Sequence, residues 1–543
     1  MNTVLGIDTG GTYTDAVLLD PIASKVLSKA KSPTTREDLA IGIEKSIGQL
    51  DLKGAGEIEK VVLSTTLATN AIVEGEGRPT GLILIGDRPK GELPETNVAQ
   101  VRGRVNIKGK EVIPLDEDEV LEACRSIAPQ VEAIAVSGMM SVRNASQELR
   151  VKAIVQEECG LPVVCGHELS SQLGFHDRTV TTVLNASLIP IIQNFIGAVQ
   201  RSLARKAIDA PIYMVKGDGN LASLDFIENK PIESILSGPA ASIIGALGLA
   251  GVRDGIVVDM GGTTTDSGIV LDRTLKLSPI GARVGDWQTQ IDSAMISTCG
   301  LGGDTAIVPG KGHPHLTGGR VLPACRGNVG VLTPTDVLHY TGDFVEWDRE
   351  PVAAAAQEQA AACNLDADTY VAEAQSQILD MIEGEVLELY DAPGVPVIAI
   401  GAPAKTWYTK VASRDERDVL IPEHYEVANA VGAAMAAVEE RVTGYVRPDE
   451  ENEAFLGQIA GENRSFKDKD EAVAFVSARA EELSLAAARS QGGQEVSAQV
   501  FTKEIIDDRA WKERYVRTEI RAVAKANDLK LKHDASRLKE KIN

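Results

Sequence analysis

Two short stretches carry the residue types needed to hold a polyphosphate. LGIDTGGTYTDAV at 5–17 is nearly repeated as IVVDMGGTTTDSG at 256–268. Superposing Asp8 on Asp259 pairs Gly10 with Gly261, Gly11 with Gly262, Thr12 with Thr263, Thr14 with Thr265 and Asp15 with Asp266. Glycines let backbone N–H groups approach an anion, because no Cβ intervenes and a positive φ costs little. Threonine hydroxyls add donors. The aspartates only accept, so against phosphate they need a cation between them, and their hard oxygens suit Mg²⁺ held partly through water. One DxGGT is a weak signal that an ordinary β-turn also produces. Two copies with the same decorations read as two clasps gripping a nucleoside triphosphate from opposite sides.

Each clasp needs a buried strand running into a tight hairpin, and apolar residues of β type precede both aspartates. The copies stand half a chain apart, too far for a solenoid repeat, which implies two related domains facing each other. At 543 residues the chain is long enough for several cores. Strand-like and helix-like segments alternate through 117–165 (helix 117–128, strand 133–137, helix 147–157, strand 161–165), which argues for α/β layers. Helices are expected at 38–50, 357–390 and 427–438, and strands at 80–86, 211–215 and 395–401. From about Arg441 the texture changes to a helix at 466–489 and alternating strands at 495–505 and 513–524. That is a small α+β appendage with a lysine-rich end from Lys530. The expected division is 1–190, 191–440 and 441–543.

The net charge of −23 disfavours nonspecific binding to nucleic acid or an anionic membrane and makes any nucleotide site a local exception to the global field. No apolar run reaches transmembrane length and nothing resembles a signal peptide, so the expectation is a cytoplasmic protein. Six cysteines without a CxxC pair read as small buried thiols. Cys299, Cys325, His313 and His315 match no zinc spacing.

Two further groups have two readings each. Ser64, Thr65 and Thr66 stand where a strand runs into a helix and suit N-caps, while Thr65, Thr66 and Asn70 are also placed to face a cleft and touch substrate. His176, Asp177 and Arg178 open an apolar helix, whose N-terminus suits an anionic or polar substrate. In the other reading Asp177 caps that helix and Arg178 pairs locally. The basic stretch 102–109 reads as solvated surface.

Beyond the hairpins, the chain carries STTLATNAI, RTVTTVLNASL, ILSGPAAS, a GLGGD loop, LTPTDVL and IGAPAKTW followed by VANAVGAAMAAV. With these it resembles the hydantoinase A and 5-oxoprolinase family, ATP-dependent cyclic-amide hydrolases within the actin, hexokinase and heat-shock ATPase superfamily. The resemblance implies an α/β fold: duplicated ribonuclease H-like, actin-like ATPase domains around a nucleotide cleft, plus the C-terminal module. It implies ATP and Mg²⁺ as cofactors, with Asp8, Gly10, Gly11, Thr12 and Thr14 forming one phosphate loop and Asp259, Gly261, Gly262, Thr263 and Thr265 the other. Asp8 and Asp259 would hold the metal, Asp15 or Asp266 would orient water or ligand, and Gly401 and Ala402 would lie by the adenosine. The helix around Gly432 and Ala433 would cross behind the cleft. Asp177 and Arg178 would polarise a small cyclic amide, a hydantoin, 5-oxoproline or related lactam, opened after phosphorylation of its amide oxygen. A separate B-type subunit and an oligomer are the implied partners. A small-molecule kinase and a nucleotide-switched activator are the rival readings.

Overall fold

The computed structural model describes residues 2–35, 39–52, 56–94, 97–271, 274–387, 394–415, 418–449, 453–460, 462–493, 495–507 and 514–526. The first lobe is built on the strand Asn2–Thr9, in which Val4, Leu5 and Ile7 are buried because the strand is central and covered on both faces. It pairs antiparallel with Tyr13–Asp20, which pairs antiparallel with Lys25–Pro33, and it lies parallel to Glu57–Thr65. Ile212–Val215 joins the far side of Glu57–Thr65 in parallel and carries Leu221–Ser223 on its outer edge.

The second lobe repeats this order. Gly255–Met260 pairs antiparallel with Thr265–Leu271, which is followed by Thr274–Leu275, and on its other side Val397–Ile400 and Val419–Leu420 run parallel. Both sheets therefore read third, second, first, fourth, fifth strand, the ribonuclease H-like order. The fold is the duplicated actin-like ATPase architecture.

A four-stranded, all-parallel sheet is inserted between Glu57–Thr65 and the long helix Phe175–Arg205, in the spatial order Val163–Cys165, Ala133–Gly138, Thr80–Ile85, Asn97–Val101. Its central run TGLILI is apolar at successive positions because both faces are covered. Leu82 and Leu84 pack in the cluster containing Val180 and Val183 of the long helix. Ile83 and Ile85 pack with Val120 and Ile127 of Glu117–Ile127 and Val151 of Ser146–Cys159.

The long helix runs straight through residue 190, where the first lobe was expected to end, and the strands at 212–223 belong to the first sheet. Among the described residues it alone is long and apolar enough to cross a membrane, and 67% of its most apolar stretch is buried inside the protein.

The lobes meet where Ser237–Ala250 crosses Ala428–Met435. A Cβ on Gly245 would stand 1.9 Å from the Ala428 carbonyl, and one on Gly432 would stand 1.8 Å from that of Ala241, so the crossing is backbone on backbone. On its other side Ala428–Met435 presses on the first sheet, where a Cβ on Gly6 would meet the Ala430 carbonyl at 2.1 Å.

The C-terminal module is a five-stranded antiparallel sheet, Glu462–Phe466, Ala454–Ile459, Glu439–Asp449, Arg514–Ala526, Val496–Asp507, with helix Lys469–Ser490 over one face. It docks on the edge of the first lobe through Leu221 N–H to Ala437 (3.0 Å) and Ser223 N–H to Gln491 (2.8 Å). The lysine-rich end from Lys530 lies outside the described residues.

The helix expected over 357–390 is instead two, Glu350–Ala362 and Ala367–Met381, followed by a π turn at Ile382–Leu387. Alanine content hides the break. Asn364 adopts the left-handed conformation (φ 59°), and the Asp366 carboxylate caps the next helix by accepting from Thr369 N–H at 2.9 Å. Residues 388–390 lie outside the described residues.

Candidate functional site

The two hairpins close identically. Gly10 N–H donates to the Tyr13 carbonyl at 3.0 Å and Gly261 N–H to that of Thr264 at 2.9 Å. Asp8 stands opposite Asp15, and Asp259 opposite Asp266. None of the four glycines takes a positive φ; they serve by leaving room. A Cβ on Gly11 would stand 3.5 Å from the Asn70 amide, and one on Gly262 would stand 3.0 Å from the Asp304 carboxylate.

Gly11, Thr12, Gly262 and Thr263 form exposed tips, whereas Thr14 and Thr265 are buried. Those two hydroxyls do not face a ligand as the sequence reading expected. Thr14 bonds Thr34 (3.0 Å), which in turn donates to the Gly10 carbonyl (2.9 Å), and Thr265 donates to the Leu301 carbonyl (2.7 Å). They are spent holding neighbouring loops, because the strand alternation turns them inward.

The hairpin carboxylates gather. Asp8 accepts from the Ser64 hydroxyl at 2.5 Å, and Asp259 accepts from Ser242 at 2.7 Å and from Asn429. Burial pushes Asp8 up to about 7 and Asp266 up to about 6, and it also raises Asp15 and Asp259. The charge of Asp259 adds to the rise at Asp8, Asp15 and Asp266, which puts all four within electrostatic reach of one another. Lys31 is the counter-charge, 2.7 Å from Asp15, and its field lowers Asp8, Asp15 and Asp259.

The second hairpin is buttressed by the GLGGD loop. Gly303 N–H donates to the Gly261 carbonyl (3.0 Å) and Asp304 N–H to that of Gly262 (2.6 Å), while a Cβ on Gly302 would stand 2.5 Å from the backbone of Gly262 and Thr263. The loop's glycines admit a neighbouring backbone. Gly401 (φ 90°) does the same beside Asp259, since a Cβ there would meet the Met260 carbonyl at 2.2 Å and the Asp259 carboxylate at 2.7 Å. Ala402 beside it is exposed.

Thr65, Thr66 and Asn70 line a cavity of about 410 Å³ that opens from Thr9, Gly10 and Gly11 of the first hairpin. Thr65 does serve the helix start, its hydroxyl accepting from Leu67 N–H at 3.1 Å. Its hydroxyl donates to the Thr9 carbonyl (3.1 Å), and its own carbonyl accepts from Ser237 at the start of Ser237–Ala250 (3.0 Å). Thr66 is the N-cap residue of Leu67–Val73 but makes no side-chain cap bond, and its hydroxyl accepts from Asn70 at 3.3 Å.

Asp177 and Arg178 are elsewhere. Neither lines this cavity, and Asp177 pairs with its neighbour His176 at 3.0 Å. Arg178 is fully buried and donates to the carbonyls of Gly138 (2.9 Å), Met139 (2.8 Å) and Gln172 (3.1 Å). It braces the inserted sheet through its two terminal nitrogens and is closed off from solvent. Among the described residues, Glu148, Cys165 and His167 cluster closely enough to hold a metal ion. Arg178 stands in the same packing, and the Glu148 carboxylate is already engaged, accepting from the N–H groups of Gly138 (2.8 Å) and His167 (3.0 Å).

Lys31, Ser242, Asn429 and Asp304 escaped the sequence reading. Lys29 and Lys31 share one face of an alternating strand, a pattern that marked charge pointing one way. The other three sit in segments that carried the family resemblance, where their own side chains were given no role.

The donors fit a hard divalent cation and a polyphosphate: mutually coupled carboxylates with raised affinities for protons, exposed glycine tips, and the buried hydroxyls of Thr9 and Tyr408, which have no hydrogen-bond partner among the described residues. Family models agree with this geometry. Residues 4–159 match the hydantoinase/oxoprolinase N-terminal region, and residues 178–442 match hydantoinase/oxoprolinase. The chain belongs to the hydantoinase/oxoprolinase family. Within it, the chain is 30% identical over 387 residues to the caprolactamase alpha subunit of Pseudomonas jessenii, covering 62% of this chain and 55% of that one. To the acetophenone carboxylase gamma subunit of Aromatoleum aromaticum it is 28% identical over 389 residues, covering 62% and 52%. It therefore spans about half the length of the curated relatives it matches. The crystal structure of the ATP-dependent caprolactamase from Pseudomonas jessenii superposes with a TM-score of 0.72 at 21% identity, over 97% of this chain and 88% of that one, which establishes the shared fold. The family holds ATP-dependent amide hydrolases and carboxylases, and several relatives are named as subunits of larger enzymes.

Proposed function

We propose that this chain is the nucleotide-hydrolysing component of an ATP-dependent cyclic-amide hydrolase acting on a hydantoin, 5-oxoproline or a related lactam. One observation carries the reading: paired hairpins bring four carboxylates, the buried Asp8 and Asp15 and the half-buried Asp259 and Asp266, within electrostatic reach of one another beside exposed glycine and threonine tips. Asp8 and Asp259 would hold Mg²⁺, which supplies charge neutralisation for the phosphate tail when bound. The tip amides at Gly10, Gly11, Gly261 and Gly262, with the hydroxyls of Thr12 and Thr263, orient the phosphates.

An amide is a poor electrophile because resonance stabilises it. Transfer of the γ-phosphoryl group breaks its bond to the ADP oxygen, which keeps the electron pair, and forms a bond to the amide oxygen. Water then adds to the activated carbon, the ring C–N bond breaks with a proton delivered to nitrogen, and a second water hydrolyses the acyl phosphate so formed, releasing phosphate and the opened carboxylate. The chain's share is positioning and charge placement, the main sources of rate in phosphoryl transfer. Asp15 and Asp266, set opposite the two metal-side aspartates, are placed to orient water. The neighbouring cavity lined by Thr65, Thr66 and Asn70 takes the ring. A B-type subunit completes the enzyme, in keeping with relatives named as subunits.

The test is phosphate release from ATP by the full chain, with and without a candidate partner subunit, across hydantoins, 5-oxoproline and larger lactams. Ring-dependent phosphate release with an opened product is expected. A stable phosphorylated product instead means a kinase. The resemblance to a carboxylase subunit supports a second reading, activation of a ketone, and bicarbonate-dependent turnover of a ketone without lactam turnover would replace the first.

A further inference from the structure

We infer that Asn70 reads the amide edge of the substrate, so that the cavity beside the first hairpin selects a lactam with an unsubstituted N–H over an open-chain amide or a ring ketone. This rests on the cyclic-amide reading above and adds to it the group that recognises the ring. The cavity, about 410 Å³, has a buried polar end and an exposed mouth. Thr9 and Thr65 close the buried end, whereas Glu76 and Arg78 stand at the exposed one. Its apolar lining, Leu39, Leu67 and Ile191, packs against the core of the first lobe and suits the methylenes of a ring.

The polar end is sorted by its hydrogen bonds. The Thr65 hydroxyl accepts from Leu67 N–H and donates to the Thr9 carbonyl (both 3.1 Å), and the Thr34 hydroxyl is shared between Thr14 and the Gly10 carbonyl. Both are spent on the fold. Asn70, half-buried, is the only carboxamide among the described residues that line the cavity. Its nitrogen bonds the Thr66 hydroxyl at 3.3 Å, longer than the usual N–H···O distance, which leaves its oxygen and a second N–H for a ligand. The backbone beneath it is fixed, since Asn70 N–H donates to the Thr66 carbonyl and the Asn70 carbonyl accepts from Glu74 N–H, both at 2.8 Å. A Cβ on Gly11 would stand 3.5 Å from the carboxamide nitrogen, so this group lies against the hairpin tip. At the same end the Thr9 hydroxyl, on a residue 3% exposed, has no hydrogen-bond partner among the described residues and marks a place for a polar ligand atom.

A carboxamide presents an acceptor and a donor side by side along one edge. A small lactam presents the complementary pair, because the ring forces its C=O and N–H onto one side of the planar amide. An open secondary amide stays trans and holds them on opposite sides, and a ring ketone has no N–H. Only the lactam makes both bonds at once. The Asn70 N–H then takes the lone pair on the nitrogen side of the amide oxygen, and the other lone pair is left for the phosphoryl group. As the new P–O bond forms there, positive charge builds on the ring nitrogen and strengthens its N–H bond to the Asn70 oxygen, a gain realised in the transition state.

The experiment measures dissociation constants of three probes of similar size, ε-caprolactam, N-ethylbutanamide and cycloheptanone, on the full chain with a non-hydrolysable ATP analogue and Mg²⁺. The lactam is expected to bind roughly tenfold more tightly than either of the others, the worth of one hydrogen bond at a partly dry site. N70L keeps close to the size of the side chain and removes both polar atoms. In it the lead of the lactam over the ketone falls toward one, and its lead over the linear amide falls by a similar factor. N70S gives the same loss and covers the case in which N70L does not fold. A lead that is absent in wild type, or that survives both N70L and N70S, overturns the assignment to Asn70, while lactam-driven phosphate release from ATP keeps the cyclic-amide reading. If no lactam binds and none drives phosphate release, the cyclic-amide reading falls and the inference falls with it.

Discussion

The two hairpins share a sequence and a hydrogen-bond pattern but not a support. The first leans on side chains: Thr34 ties Thr14 to the Gly10 carbonyl, and Lys31 neutralises Asp15 at 2.7 Å. The second leans on backbone, with the GLGGD loop pressed against Gly261 and Gly262, and its Asp266 has the Thr298 hydroxyl at 2.7 Å where Asp15 has a lysine. Duplication preserved the hairpin itself. The charge environment behind it diverged, so positive charge is supplied from the first lobe and geometric stiffness from a loop of the second.

Breaking either clasp tests the shared part. D8N and D259N should each lower kcat for ATP hydrolysis by ~10²–10³-fold, the scale of losing one preorganised electrostatic contact, with a higher Mg²⁺ requirement. If only one of them matters, the clasps are not equivalent. D8N should also raise the melting temperature of the nucleotide-free protein, because it removes a carboxylate that burial destabilises.

The pH response sharpens the electrostatic half. Asp8, at about 7, and Asp266, at about 6, lie above their ordinary 3.8, so the folded state holds protons that the unfolded state releases. Stability of the nucleotide-free protein is fullest below the ordinary value. It declines as pH rises through that window toward neutrality. Binding of Mg²⁺ with an ATP analogue should move the opposite way and tighten between about pH 6 and about pH 8, because the ion needs the carboxylates charged. Calorimetric titration across that range, with D8N as the control for a flatter profile, checks the sign.

Stiffness is tested by glycines. G302A places a Cβ 2.5 Å from hairpin backbone and should cost about 1–3 kcal/mol in thermal or denaturant unfolding, with weaker nucleotide binding. G10A meets the Tyr13 carbonyl at 3.2 Å and should cost less. The reverse order would mean that the loop yields. The smallest effects belong to the exposed tips: T12A and T263A should each weaken nucleotide binding about threefold to tenfold by losing one hydroxyl contact.

Residue type alone made the site legible only in part. The hairpins, their aspartates, and Thr65, Thr66 and Asn70 beside them stand in contiguous motifs, and contiguous chain folds together. Arg178 misled because a charge at a helix start looks solvent-facing, whereas the inserted sheet folds over it and takes its donors into three carbonyls. Thr14 and Thr265 misled because side-chain alternation in the hairpin turned them away from the tip. The break at Asn364 was hidden by the alanines around it.

What the sequence alone determined is therefore local and periodic. A repeated glycine-threonine hairpin, alternating strands and helices, and small residues at the helix crossing specify two copies of one sheet order, since hydrogen-bond pattern and side-chain size act over a few residues. Tertiary structure decided the rest: that Lys31 from a neighbouring strand answers Asp15, that Ser242 and Asn429 from distant helices hold Asp259, and that the Thr9 hydroxyl has no hydrogen-bond partner among the described residues beside a cavity. Burial and mutual charge set those properties, and both are sums over groups that the chain brings together only once it has folded.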